Sequence, residues 1–166
     1  MSGIIRNLLT LIQAIFSYGR FKPHSCVTSS FLVTPMDAGI RVLKSDKYLQ
    51  FAEAAQLDFL VKTKLMGKML RGGCQFVNAS ILVKFMKPIG VFRPVRVETR
   101  IVYADAKCAY FSHSLFMGNQ QHGEVLIKMK FKKGSLTVCP AELIGECPTE
   151  KPPHIHSWDQ AIAEWE

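Results

Sequence analysis

Two carboxylates stand where a carboxylate can do chemistry. Asp37 sits in a breaker cluster, Thr34-Pro35-Met36-Asp37-Ala38-Gly39, ahead of a long apolar segment. Glu53 lies inside that segment, Tyr48 to Leu60, among Ala52, Ala54 and Ala55. A carboxylate can attack an electrophilic carbon or take a proton from water. Beside a helix start it also stands near backbone amides whose partial positive charge suits a developing oxyanion. Burial among alanines raises the pKa of Glu53, which suits a base only beside a polar substrate. Both residues also have a plain reading. Asp37 in a Pro/Gly cluster is ordinary turn chemistry, since Asp side chains bond their own backbone. Glu53 can pair with a lysine or hydrogen-bond across a dimer.

The other polar candidates are weaker. Asn78 and Ser80 interrupt an apolar strand on one face. They either line the mouth of a polar tunnel or pair with neighbouring backbone. His113 and His122 read as structural or exposed. His154-Ile155-His156 alternates like a metal site but has no third ligand nearby, so no metal and no cofactor are expected.

These residues need elements to hold them. Residues 45–70 read as one long helix, apolar nearly all round between Tyr48 and Val61, and such a helix is buried on most sides. Ser45 or Asp46 suits its N-cap, and Gly72-Gly73 stops it. Ser25 to Thr34 is a first strand, rich in Val, Thr, Ser and Phe. Strands then follow at Cys74–Met86, Pro94–Ala104, Lys107–Met117, His122–Lys132 and Ser135–Cys139. In the second of these, Val95, Val97, Thr99, Ile101 and Tyr103 share one face. In the fourth, Val125, Ile127, Met129 and Phe131 face inward. Short links make the strands antiparallel neighbours. The fold class is therefore α+β, one central helix on an antiparallel sheet of about five to six strands.

Both ends differ from this body, which divides the chain into 1–22, 23–139 and 140–166. Residues 3–17 form an amphipathic helix with a polar stripe of Arg6, Thr10, Gln13 and Ser17 opposite a wide apolar face. It is too short and too striped to span a membrane. It either docks on the protein's own surface or a sister subunit, or lies in the plane of a membrane, flanked by Arg6, Arg20 and Lys22. From Pro140 the chain is a proline-rich, irregular tail, with one short helix possible at Ser157–Trp165.

Composition narrows the function. At 166 residues and 48% hydrophobic, the chain makes one domain with a proper core. Five cysteines, an odd number without a Cys-x-x-Cys pair, argue against a disulfide framework and for a reducing, cytoplasmic setting. The net charge of +8 points to an anionic partner or to solubility alone. No recognition-helix motif accompanies it, so nucleic acid fits poorly.

Three motifs carry a family resemblance, which covers about Phe31 to Lys133. Asp37-Ala38-Gly39 resembles the Asp-Ala-Gly of hotdog-fold acyl-CoA thioesterases of the 4-hydroxybenzoyl-CoA thioesterase type. Tyr48-Leu49-Gln50-Phe51-Ala52-Glu53 is similar to that family's Tyr-Leu-x-Tyr-Phe-Glu helix start. Phe76-Val77-Asn78-Ala79-Ser80 through Phe85-Met86-Lys87-Pro88 is similar to its second strand. Ser45 stands where the family often carries a His. The resemblance implies a hotdog fold and a homodimer or dimer of dimers, with acyl-thioester tunnels between one subunit's helix and its partner's. It implies Asp37 as nucleophile or general base on an acyl-CoA or acyl carrier thioester, with Glu53 as a supporting or alternative base. Amides near Gly39–Leu43 or at the helix start would be the oxyanion donors. Gly39, Ile40, Tyr48, Asn78, Ser80, Lys84 and Lys87 would bind substrate. Arg71, Lys130, Lys132 and Lys133 would join Lys84 and Lys87 around the coenzyme A phosphates. The alternative is a non-catalytic acyl or acyl-CoA binding protein associated with a membrane.

Overall fold

The computed structural model describes residues 3–164. In chain order the elements are α1 (Gly3–Ile15), β1 (Val27–Leu32), α2 (Ser45–Lys62), α3 (Leu65–Gly72), β2 (Gln75–Phe85) and β3 (Pro94–Ala104). Then follow β4 (Ala109–Met117), β5 (Gln120–Lys133), β6 (Leu136–Val138), α4 (Pro140–Ile144) and α5 (Pro153–Ala163). The strands form one antiparallel sheet in the order β1-β3-β4-β5-β2, with β6 paired to the end of β5. β1 and β2 are thus the two outer strands of the main run.

The inward side chains are those the alternation in β3 and β5 predicts, except Tyr103: the register shifts after Ile101, and Tyr103 joins Tyr110 in the outer cluster. Val95, Val97, Thr99 and Ile101 of β3 are buried, as are Val125, Ile127, Met129 and Phe131 of β5. They pack with Phe51, Ala52, Ala55 and Phe59 of α2. The alanines let the helix sit close to the sheet, and the Phe59 and Phe111 rings meet edge to face at 5.6 Å. Burial of this kind contributes about 25 cal/mol per Å² of apolar surface.

The helix expected to run unbroken to residue 70 is two helices. Thr63 is buried, and its hydroxyl donates to the Phe59 carbonyl at 2.7 Å. The same carbonyl keeps the Thr63 amide at 3.0 Å, and a hydroxyl added to a ladder carbonyl in this way bends a helix. Lys64 then takes a left-handed conformation, φ 65°, before α3 begins. At the far end Gly73 is left-handed as well, and the Cys74 amide reaches back to the Met69 carbonyl at 2.8 Å, closing α3 where the Gly-Gly pair predicts. The N-cap of α2 is Lys44, with no side-chain cap, rather than Ser45 or Asp46.

The C-terminal tail is more ordered than its prolines suggest. Pro140 and Pro153 sit in the first turns of α4 and α5, where proline starts a helix instead of breaking it. α5 covers the outer face of the sheet. Ile155 and Trp158 pack on Tyr110 and Leu126, and Asp159 binds Tyr110, Lys128 and Lys151. Trp165 lies outside the described residues.

α1 docks on α2 with Arg6 and Thr10 of its polar stripe turned in, while Gln13 stays exposed. Arg6, Thr10 and Ala14 are buried, whereas Ile4, Ile5, Leu8, Leu9, Ile12 and Ile15 are exposed. No helix among the described residues is long and apolar enough to cross a membrane.

Candidate active site

The two carboxylates do not share a site. Arg6 binds the Asp37 carboxylate and lays its guanidinium over the Phe51 ring, 4.1 Å from the centroid. Glu53 is two residues beyond Phe51, so it points about 200° away around the axis of α2. Asp37 therefore lies on the side of α2 that α1 covers, and Glu53 on the opposite side.

Asp37 is fully buried. Oδ1 takes the Arg6 guanidinium, while Oδ2 accepts the Thr34 amide at 3.0 Å and the Thr34 hydroxyl at 2.6 Å. Burial alone pushes its pKa up. The bonds from Thr34 and Arg6 outweigh that and hold the carboxyl below its usual range. The turn reading of Asp37 thus describes its contact with Thr34, and Arg6 is the residue that sequence reasoning missed. The signal for it was present: Arg6 is the one charged residue in the stripe of α1 that faces the body.

Glu53 is half-buried and has no hydrogen-bond or ion-pair partner among the described residues. Burial pushes its pKa up from the ordinary glutamate value. One turn further along α2, Gln56 is buried and donates to Asn78 Oδ1 in β2 at 3.3 Å. Asn78 thus lies under α2 within a helical turn of Glu53. Leu49, Glu53 and Leu57 make a half-buried strip on this open side of the helix, next to the outer strand β2.

Ser80 and Lys84 are not part of this side. A bulge at Ala79 inserts one residue, so Asn78 pairs with inward Met129 while Ser80 pairs with Lys128. From there the alternation is reversed, and Ser80, Leu82 and Lys84 face out. Lys84 borders an outer cleft of about 370 Å³ with Glu124 and His154. Sequence spacing of two put Asn78 and Ser80 on one face, and the bulge separates them.

The remaining expected residues gather at the start of α2. A cleft of about 310 Å³ is lined by Val42, Leu43, Ser45, Tyr48, Phe85, Met86, Lys87 and Pro88. The Tyr48 hydroxyl donates to the Lys87 carbonyl at 3.2 Å, and its ring meets Phe85 edge to face. Tyr48 is thereby a buried brace, its pKa raised by burial. The expected oxyanion amides at Gly39–Leu43 are partly spent: Gly39 donates to the Val42 carbonyl and Leu43 to that of Ile89. Ile40 is fully exposed in a neighbouring groove with Gly39 and Phe92. The phosphate candidates do not converge. Lys132 binds the Thr137 hydroxyl on β6, at the other end of β5 from Lys84 and Lys87.

His113 is buried beside Thr99, whose hydroxyl meets Nδ1 at 2.9 Å. Its Nε2 has no partner, and burial pushes its pKa down to about 3, so the ring is neutral. His122 is also buried, with Nδ1 on the Pro88 carbonyl.

A family model described as the thioesterase-like superfamily matches residues 33–158. The chain belongs to this superfamily. Its fold is the hotdog fold, also seen in solved structures similar to it. One is a probable thioesterase from Bartonella henselae, with 16% identity and a TM-score of 0.63 over 69% of this chain and 98% of that one. Another is a mutant 4-hydroxybenzoyl CoA thioesterase complexed with 4-hydroxybenzoyl CoA, with 16% identity and a TM-score of 0.63 over 74% and 99%. A third is the DHNA-CoA thioesterase of Staphylococcus aureus, with 14% identity and a TM-score of 0.61 over 84% and 90%. Identities this low speak to the fold. Curated protein sequences give no match. In this thioesterase-like hotdog domain, Asp37 is held by Arg6 from the N-terminal helix α1.

Proposed function

We propose that the protein hydrolyses an acyl thioester, of the coenzyme A or acyl carrier type, with Glu53 as the general base. The observation that carries this reading is Glu53 itself: an unpaired, half-buried carboxylate of raised pKa on the open side of α2. Glu53 takes a proton from water, and the hydroxyl adds to the thioester carbonyl. The C–S bond then breaks, and the proton passes to the departing thiolate. The products are a carboxylic acid and a free thiol. First-turn amides of α2, uncapped by any side chain, suit the oxyanion. Asn78 and Gln56 provide polar groups beside the base. Asp37 serves to hold α1.

A second copy completes the site in this reading. β2 is an outer strand of 11 residues, with Val77, Leu82 and Phe85 exposed. Such an edge is a template for pairing with another chain. The Leu49–Glu53–Leu57 strip lies next to it, so pairing there would enclose Glu53. The five thiols are free, in keeping with a reducing, cytoplasmic setting.

The test is a panel of acyl-CoAs with a chromogenic readout of released thiol. Wild type turns over at least one of them. Glu53→Gln loses about 100-fold or more in kcat, the scale of a general base. Full activity in Glu53→Gln rejects the base assignment. A second reading is favoured by the locked state of Asp37: a protein that binds acyl thioesters without cleaving them. Saturable acyl-CoA binding with no thiol release selects it.

A further inference from the structure

The outward face of α1 has no partner in the domain. Ile4, Ile5, Leu8, Leu9, Ile12, Ile15 and Phe16 form one continuous apolar strip, with Ile4 at 81% and Phe16 at 79% exposure. A folded surface seldom leaves so long a strip in water. The strip cannot turn inward by rolling the helix, because Arg6 and Thr10 are its buried side and Arg6 is tied to Asp37. The orientation is therefore built into the fold.

One end of the strip carries aromatic and basic groups. Exposed Tyr18 and Phe21 continue it, and the Phe21 amide bonds the Lys62 carbonyl at the end of α2. Tyr18 Oη and Arg71 Nη1 both lie over Gly67, and the Lys64 side chain lies against Gly19. Arg20, Lys22, Lys64 and Arg71 are exposed here, beside exposed Leu70. No Asp or Glu occurs in residues 1–36 or 59–97.

We propose that α1 seats the intact domain on an anionic phospholipid surface, with the helix lying in the plane of the interface. Its apolar strip enters the acyl boundary, as interfacial helices do. Tyr18, Phe21 and the basic side chains sit at headgroup level, where aromatic rings and snorkelling Lys and Arg are favourable. The charge rim favours this occupant over a second copy, because an isologous contact would bring the same basic rim in twice. α1 also shares a small pocket with β1, at the sheet edge opposite β2, so pairing through β2 would leave the strip open. The inference stands whether or not Glu53 turns over a thioester.

Flotation of the full chain with vesicles tests it. Phosphatidylcholine vesicles containing phosphatidylserine should carry the wild type, pure phosphatidylcholine less of it, and high salt should weaken binding severalfold. Leu8→Glu/Ile12→Glu changes two exposed side chains, so its melting curve should match wild type while partitioning falls about 100-fold. Arg20→Glu/Lys22→Glu should lose binding to the anionic vesicles alone. No binding by wild type, or equal binding by Leu8→Glu/Ile12→Glu, overturns the proposal. So does light scattering that shows an oligomer abolished by Leu8→Glu/Ile12→Glu in a protein that ignores vesicles, since a second copy would then cover the strip.

Discussion

Replacing Asp37 by Asn tests whether this residue is a latch or a catalyst. The change removes a charge but little volume, and it leaves the buried Arg6 guanidinium facing a neutral amide. Removing one partner of a buried pair costs about 3–5 kcal/mol. For a chain of this length that is roughly 6–20 °C in Tm, at about 2–4 °C per kcal/mol. The cost is capped by the free energy that docks α1, because α1 packs chiefly on α2 and can detach before the rest unfolds. Two assays are therefore needed: a thermal melt, and hydrogen exchange of the amides in residues 3–15. Arg6→Met is the complementary change, keeping the stack on Phe51 while emptying the carboxylate's main partner. The double variant should cost less than the sum of the singles by about 1–3 kcal/mol, the coupling expected of side chains in contact. The pH dependence has a definite sign. The Asp37 pKa is lowered on folding, so its contribution is complete above the ordinary carboxylate value of 3.8 and fades as pH falls through the folded value. Asp37→Asn with unchanged melting, unchanged protection of α1 and abolished thioester turnover would refute the latch and restore Asp37 as the reacting group.

Glu53→Gln should raise Tm at neutral pH, since burial raises the pKa of Glu53 and its charged form therefore costs stability once pH exceeds the folded value. A melt of the variant that is lower at pH 7 would show that Glu53 has a stabilising partner. In wild type, thioester turnover should rise with pH through an apparent pKa above the ordinary glutamate range, and a pH–rate profile reads this directly. His113 is neutral in the fold, with a pKa near 3 against 6.5 in the open chain, so between those values the unfolded state binds more protons. Stability should fall on acidification by up to about 1.4 kcal/mol per pH unit from this group, and urea titrations of His113→Leu should show that slope removed. Trp158→Ala should cost about 3 kcal/mol and expose α5 to protease, because Trp158 holds the tail on Tyr110. A tail that stays protected would mean that the Asp159 bonds suffice alone.

The central architecture was readable without coordinates, for a simple reason. Strand alternation and helix periodicity are local, and β3 as far as Ile101 and β5 bury the residues that spacing predicts, until the register shift that sends Tyr103 outward. Burial of α2 followed from apolar residues on nearly every side, and the end of α3 from Gly72-Gly73. Fold-level motifs such as Asp37-Ala38-Gly39 are likewise short stretches of chain. Local rules failed where the backbone left its regular course or a neighbour from elsewhere intervened. The helix ended at Thr63, whose hydroxyl joins its own amide on the Phe59 carbonyl, because Lys64 turns left-handed there. The prolines of the tail became helix starts because a sheet face was waiting for Ile155 and Trp158.

The site shows the same division. Sequence alone determined that one carboxylate precedes a buried helix and another lies within it, that residues 3–17 are amphipathic, and that the chain is basic. Tertiary structure decided which way each one points. Three-dimensional packing turned Arg6 and Thr10 of α1 inward and brought Arg6 to a carboxylate 31 positions away. It set Asp37 and Glu53 on opposite sides of one helix, and a single extra residue at Ala79 parted Asn78 from Ser80. Which face is buried depends on what covers it, and for α1 the cover is a charge partner that lies beyond the reach of any periodicity within the helix itself.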